Sequence, residues 1–295
     1  MLDQKVGLAN KVALDFVENL EKQNAQISSS TSSEDVKSVV LRYNEFVQVL
    51  DTLLFERKTS LLPRQVTVFT TNYDTFLETA VSTNPAIVLN DGFDRTSPAA
   101  GEFTFSPEKF SDRIFRSGTV YSRMSEVPTF NLVKLHGSLN WKQSEKQIKY
   151  SFNSPISLTE EEKNDPQKVE ESLSTRALIL PNRTKFQSVM LDRVYYDQLR
   201  VYSKSLEMEN SVLLVFGFSF ADEHILDITK RALRNPTAQV IIFSYDEPYV
   251  DVFGYQFVHH RNVHIVKPPV GGVLDFGAFN KVLSQILQPD TENDS

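Results

Sequence analysis

The chain has 295 residues, 40% of them hydrophobic and 11% aromatic, and a formal net charge of -7 with a pI of about 5.4; a chain of this size can bury one large core or two modest ones. With no cysteine, disulfides, a catalytic thiol and thiolate zinc sites are all excluded, leaving five histidines and the carboxylates as available metal ligands. The acidic balance argues against a broad nucleic-acid surface, no run approaches the roughly 20 apolar residues of a membrane helix, and MLDQKVGLAN lacks the pattern of a secretory signal, so a cytoplasmic globular protein is expected.

In chain order, residues 8–23 and 34–57 carry apolar positions at helical spacing, separated by the polar stretch NAQISSSTSSE, which supplies a linker and an N-cap serine. Short apolar, β-branched runs then recur as QVTVFT, PAIVLN, FNLVKL, RALILP, VLLVFG, QVIIFS and NVHIVK, several of them separated by helical patterns such as QSVMLDRVYYDQLRVYSKSLEM and DEHILDITKRALRN. Strands alternating with helices predict an α/β, Rossmann-like fold: a mainly parallel sheet with helices on both faces. The expected organisation is an N-terminal helical region over 1–64, a core over 65–288 with a charged, acidic and partly mobile surface insertion near 142–176, and a disordered tail at 289–295.

In an open parallel sheet, ligands bind beyond the carboxyl ends of the strands, so polar residues there are functional candidates for a geometric reason. Three strand ends qualify: Thr71, Asn72 and Asp74 after VTVFT; His136, Gly137 and Ser138 after FNLVKL; Gly217, Ser219 and Asp222 after VLLVF. Each also has a structural reading. Asn72 or Asp74 would cap the following helix, His136 would be a hydrogen-bonded core histidine, and the glycine of GFSF would serve a turn. His259 and His260 are adjacent, so on a strand they would point to opposite faces; with His264 in an apolar run and His224 in the first turn of a helix, all four read as structural and no metal site is expected. Trp141 reads as packing a turn.

TTNYD, KLHGSLNW and FGFSFADEHI, in that order and each led by a strand, resemble the sirtuin-like domains of bacterial NAD-consuming proteins, many of them parts of anti-phage defence systems. The resemblance covers roughly residues 65 to 270, with weaker echoes at NDGFD (90–94) and LILPNRTKF (178–186). It implies that Asn72 and Asp74 line the nicotinamide and ribose pocket, flanked by Thr71 and Tyr73, that His136 stands at the catalytic histidine, and that Gly217 and Ser219 touch the dinucleotide. It also places Ser244 and Asp246 of IIFSYD near the adenosine ribose.

Cleavage of the ribose–nicotinamide bond passes through an oxocarbenium-like transition state, and suits a positioned base, His136, with Asn72 holding a water or hydroxyl and Asp74 orienting Asn72 or binding the nicotinamide amide. Two departures from the sirtuin pattern stand out. No Gly-x-Gly pair occurs and only Gly7 precedes the TTNYD strand, so the chain either begins downstream of the phosphate loop or lacks it. The four cysteines of the sirtuin zinc module are also absent, which favours hydrolysis of NAD over protein deacylation. Three readings follow: an NAD hydrolase yielding ADP-ribose and nicotinamide, with NAD as substrate and no metal; a degenerate module that binds NAD or ADP-ribose, or assembles with a partner, without turnover; and, least favoured, a protein deacylase. The resemblance further implies homo-oligomers or a partner ATPase or nuclease.

Overall fold

The computed structural model describes residues 2–29, 31–56, 62–95, 103–118, 124–144, 147–152, 155–180 and 189–287. The chain divides into two compact units, Met1–Gln198 and Leu199–Ser295. The expected disordered tail at 289–295 and most of the LILPNRTKF echo lie outside the described residues.

Unit one opens with α1 (Leu2–Ala25) and α2 (Glu34–Glu56), and the side chain of Ser33 accepts the Val36 N–H at the head of α2. There follow β1 (Gln65–Thr70), α3 (Phe76–Ser82), β2 (Val88–Asn90), β3 (Phe93–Asp94), β4 (Phe103–Phe105) and a hairpin of β5 (Phe115–Ser117) with β6 (Met124–Glu126). β7 (Thr129–Lys134), β8 (Gly137–Ser144), β9 (Gln147–Tyr150), α4 (Pro166–Ser174), β10 (Arg176–Leu178) and α5 (Val189–Glu207) complete it, the division between units falling within α5.

β1, β7 and β2 form a parallel sheet in that order, with Thr70 opposite Lys134 and Asn90 opposite Asn131. Alternation along the strands sends Val66, Val68, Phe130, Leu132 and Leu89 to one face, where they pack on Val47 and Leu50 of α2 and Leu77, Ala80 and Val81 of α3. Burying a side chain such as Phe130 or Leu132 contributes about 1.5–3 kcal/mol each, which ties both helices to the sheet.

The sequence does not announce the second sheet of this unit, an antiparallel one of order β10-β8-β9-β4-β3. RALILP, read as a member of the alternating α/β pattern, supplies β10 and pairs antiparallel with β8. The core beside it joins Phe93, Trp141, Ile148 and Ala177 to Val194 of α5. Trp141 is a strand residue, edge-on to Phe93 at 5.4 Å.

Residues 142–176, expected to be a charged surface insertion, contain the end of β8, all of β9, and α4. Ile148, Val169 and Leu173 in this stretch are buried, the last two against Leu14 and Val17 of α1. Counting charge conceals this because a two-residue or a helical period needs few apolar positions to bury one face. Arg176 pairs with Glu21 of α1 at 2.6 Å, both side chains nearly buried.

Unit two is a parallel sheet of β11 (Val212–Phe216), β12 (Gln239–Phe243) and β13 (Val263–Val266), with α6 (Glu223–Ala232), α7 (Glu247–Gln256) and α8 (Phe276–Leu287). Phe279 of α8 stacks on Phe216 at 4.7 Å and meets Phe243 edge-on at 4.8 Å, covering one face of paired strands. Together the two parallel sheets hold six strands of an α/β, Rossmann-like fold. Among the described residues, no helix is long and apolar enough to cross a membrane.

Candidate functional site

Because Thr70 and Lys134 are register partners on neighbouring parallel strands, the segments that follow them leave the same carboxyl edge side by side. One carries Thr71, Asn72, Tyr73 and Asp74; the other is the turn of Leu135 and His136 before Gly137. The main chain joins them: Leu135 N–H donates to the Thr70 carbonyl at 2.8 Å and Leu139 N–H to the Tyr73 carbonyl at 3.0 Å.

Asn72 is exposed, its N–H donating to Thr70 Oγ1 at 3.1 Å while its side chain hydrogen-bonds Tyr43 of α2. Burial, and secondarily the Asp74 charge, pushes the Tyr43 phenol upward, so it remains a neutral partner for Asn72 at neutral pH. The Tyr43 ring stacks on Phe76 at 5.2 Å, which fixes its position. Asp74 Oδ1 accepts the Phe76 N–H at 3.1 Å, the capping role the sequence also allowed. Tyr73 turns inward: its hydroxyl donates to the Ile179 carbonyl at 2.6 Å, its ring meets Phe16 edge-on, and burial pushes its pKa up to about 12. Thr71 is half-buried.

His136 is half-buried, its carbonyl accepts the Ile179 N–H at 2.9 Å, and its ring centroid lies 6.3 Å from that of Tyr195. The backbone of Ile179 therefore clasps both loops, one through each of its polar groups. Gly137 makes the His136 turn possible. Its φ is +84°, and a Cβ there would stand 1.9 Å from the Ala177 carbonyl oxygen.

Beneath the two loops lies a buried ion pair. Lys134 Nζ is 2.9 Å from Glu78 Oε1 and also donates to the Asp74 carbonyl and to Ser138 Oγ, the last at 3.3 Å. Burial holds the Glu78 carboxyl above the usual carboxylate range, with Lys134 opposing that rise only in part. Asn24 of α1 accepts from both the N–H and the hydroxyl of Thr75, at 2.8 and 2.9 Å, so the start of α3 is held from a helix fifty residues away.

Tyr43, Asn24, Glu78 and Lys134 are the residues that motif reading passed over. Lys134 had a signal, since a lysine inside the apolar run FNLVKL needs a counter-charge. Tyr43 and Asn24 had none, because their relation to the loop exists only in three dimensions.

The remaining candidates belong to unit two and share the carboxyl edge of its own sheet, where Phe216 is the register partner of Phe243. Gly217, at φ +63° with open space where a Cβ would be, and Ser219 follow β11, and both are exposed. Ser244 is fully buried, its hydroxyl donating to the Asp246 carbonyl at 2.9 Å, and the Asp246 carboxylate accepts the Tyr249 N–H at 3.3 Å as the N-cap of α7. Asp222 likewise caps α6 through the N–H groups of His224 and Ile225.

A family model described as SIR2-like domain matches residues 66–263. No curated protein matches the chain.

Proposed function

The chain belongs to the SIR2-like domain family, and from that premise we propose that it hydrolyses NAD to ADP-ribose and nicotinamide. The observation that carries this reading is the pairing of Thr70 with Lys134, which sets the Asn72 and His136 loops next to one another at the edge where parallel sheets bind ligands. SIR2-like domains are often NAD-dependent enzymes, so NAD is the substrate to test first.

In the proposed reaction a water held by Asn72 attacks the ribose carbon as its bond to the nicotinamide nitrogen breaks. The bonding electrons leave with the ring, which departs neutral, and His136 takes the proton lost by the water. Tyr43 holds the Asn72 amide, and Asp74 shapes the loop through its bond to the Phe76 N–H. Thr71 flanks the nicotinamide side, Tyr73 anchors the loop from beneath, and Gly217, Ser219, Ser244 and Asp246 are the dinucleotide contacts that the family resemblance assigns within unit two. The setting proposed for the activity is anti-phage defence, with a homo-oligomer or a partner ATPase or nuclease as its context.

Nicotinamide release from NAD, followed with and without candidate partners, tests the reading. His136→Ala and Asn72→Ala should each lower the rate about 100- to 10,000-fold with the melting temperature unchanged. A fully active but destabilised His136→Ala would overturn the assignment. A second reading, binding of NAD or ADP-ribose without turnover, is favoured by the lack of any Gly-x-Gly pair, and would show as saturable binding with no nicotinamide released.

A further inference from the structure

We propose that unit two carries a separate anion-binding site at the amino edge of its sheet, shaped for a small ligand bearing a phosphate or pyrophosphate group. A cleft of about 540 Å³ opens there, lined by Arg234, Arg261, His259, His260, His264 and Asn262 among others. That volume falls within the range of small-molecule sites. Gln239 is the first residue of β12 and Asn262 directly precedes β13, whereas Gly217, Ser219, Ser244 and Asp246 follow the carboxyl ends of the strands. Strands of this length rise about 3.3 Å per residue, so roughly 15 Å separates the two edges.

Charge is the first argument. The protein as a whole carries -7, yet among the described residues no aspartate or glutamate lines this cleft and neither Arg234 nor Arg261 has a carboxylate partner. The end of α6 accounts for only part of this. A helix C-terminus favours cations nearby, and Lys230 and Arg231 already occupy the last turn of α6, but Arg261 and the histidines come from the segment after α7.

The second argument is donor capacity on a firm floor. The two N–H groups of Asn262 Nδ2 are shared among the carbonyls of Leu233, Asn235 and Ala238 at 3.1, 3.2 and 2.8 Å, fixing the α6–β12 turn against the start of β13. His264 Nε2 is bonded to Gln239 Oε1 at 2.9 Å, and His260 Nδ1 is buried without a hydrogen-bond partner. His259 and His260, which would face opposite ways on a strand, lie in the turn that follows α7, and with His264 they line one cleft. Among the described residues, no three His, Asp or Glu side chains are grouped to hold a metal ion. Two guanidinium groups with imidazole donors match the oxygen-rich, multiply charged surface of a phosphate.

The test is calorimetric titration of the whole chain with inorganic pyrophosphate at fixed ionic strength. Saturable binding is expected, weakened about tenfold or more in Arg234→Gln/Arg261→Gln with the melting temperature unchanged, and unaltered in Asn72→Ala/His136→Ala. ADP titrated alongside identifies the source of the phosphate: sensitivity of ADP binding to the arginine pair assigns a nucleotide, and indifference assigns a phosphate ligand without a nucleoside. Absence of saturable pyrophosphate binding, undiminished binding in the double arginine variant, or its loss in Asn72→Ala/His136→Ala would each overturn the proposal. None of these outcomes depends on NAD being hydrolysed.

Discussion

Lys134 at the end of β7 and Glu78 on α3 form an ion pair at 2.9 Å with side-chain exposures of 3% and 11%, directly under the Asn72 and His136 loops. A pair so enclosed stabilises little relative to apolar residues, but removing one partner strands the other charge. Lys134→Met should therefore cost about 3–5 kcal/mol of unfolding free energy, and Lys134→Met/Glu78→Leu should recover most of that loss. Chemical denaturation of the two variants and the parent measures both; equal stability of all three would show that the pair is solvated.

Tyr43→Phe keeps the ring stacked on Phe76 and removes only the hydroxyl that bonds Asn72. If Asn72 must be oriented to hold water, kcat for nicotinamide release should fall about tenfold while KM and the melting temperature stay near those of the parent. A change confined to stability would make Tyr43 a packing residue alone.

Tyr73 gives a pH signature. Its folded pKa of about 12 lies above its ordinary value of 10.0, so the folded state holds the phenolic proton more tightly than the unfolded chain does. The stabilisation from this group is complete below about pH 10 and is lost as pH rises toward about 12. Unfolding titrations of the parent and Tyr73→Phe should differ by roughly 1 kcal/mol near neutrality, from the lost bond to Ile179, and should converge as pH climbs above 10. A difference that grows with alkalinity would contradict the burial.

Asp246 separates capping from ligand binding. Asp246→Ser retains a capping oxygen for α7, so stability should hold, whereas Asp246→Ala should cost about 1 kcal/mol. If the carboxylate also contacts a ribose, NAD affinity falls in both variants. If it only caps, affinity is unchanged in Asp246→Ser.

Gly137→Ala brings a methyl group to 1.9 Å from the Ala177 carbonyl oxygen, at a φ that side chains rarely adopt. Backbone must move on both strands, and the expected result is a loss of more than about 3 kcal/mol or failure to accumulate folded protein. Circular dichroism and thermal unfolding report it; wild-type stability would mean that β10 yields at this point.

Much of the fold was legible because hydrophobic period is a local property. QVTVFT is β1 residue for residue, QVIIF became β12, and the helical spacing at 34–57 became α2. Strands β3, β4, β8 and β9 were not read, because two- to eight-residue segments of mixed polarity leave no distinctive period. At the site, the polar residues after the strand ends could be read and their supports could not. Asn24 and Tyr43 look like ordinary helix positions until α1 and α2 are folded against the loop. Asp74, just before the N-cap of α3, and Asp246, the N-cap of α7, show that a carboxylate after a strand can hold a helix start and be a candidate ligand residue at once.

The family match begins at residue 66, yet the loop it contains is held by residues that come earlier. Asn24 fastens Thr75, Tyr43 fastens Asn72, and Val47 and Leu50 underlie the sheet. A fragment cut at the family boundary would expose that face of the sheet and release both polar tethers. The two N-terminal helices, although they precede the matched region, thus behave as an integral part of the working unit, and any transplant of the loop would have to carry them along with the strands they brace.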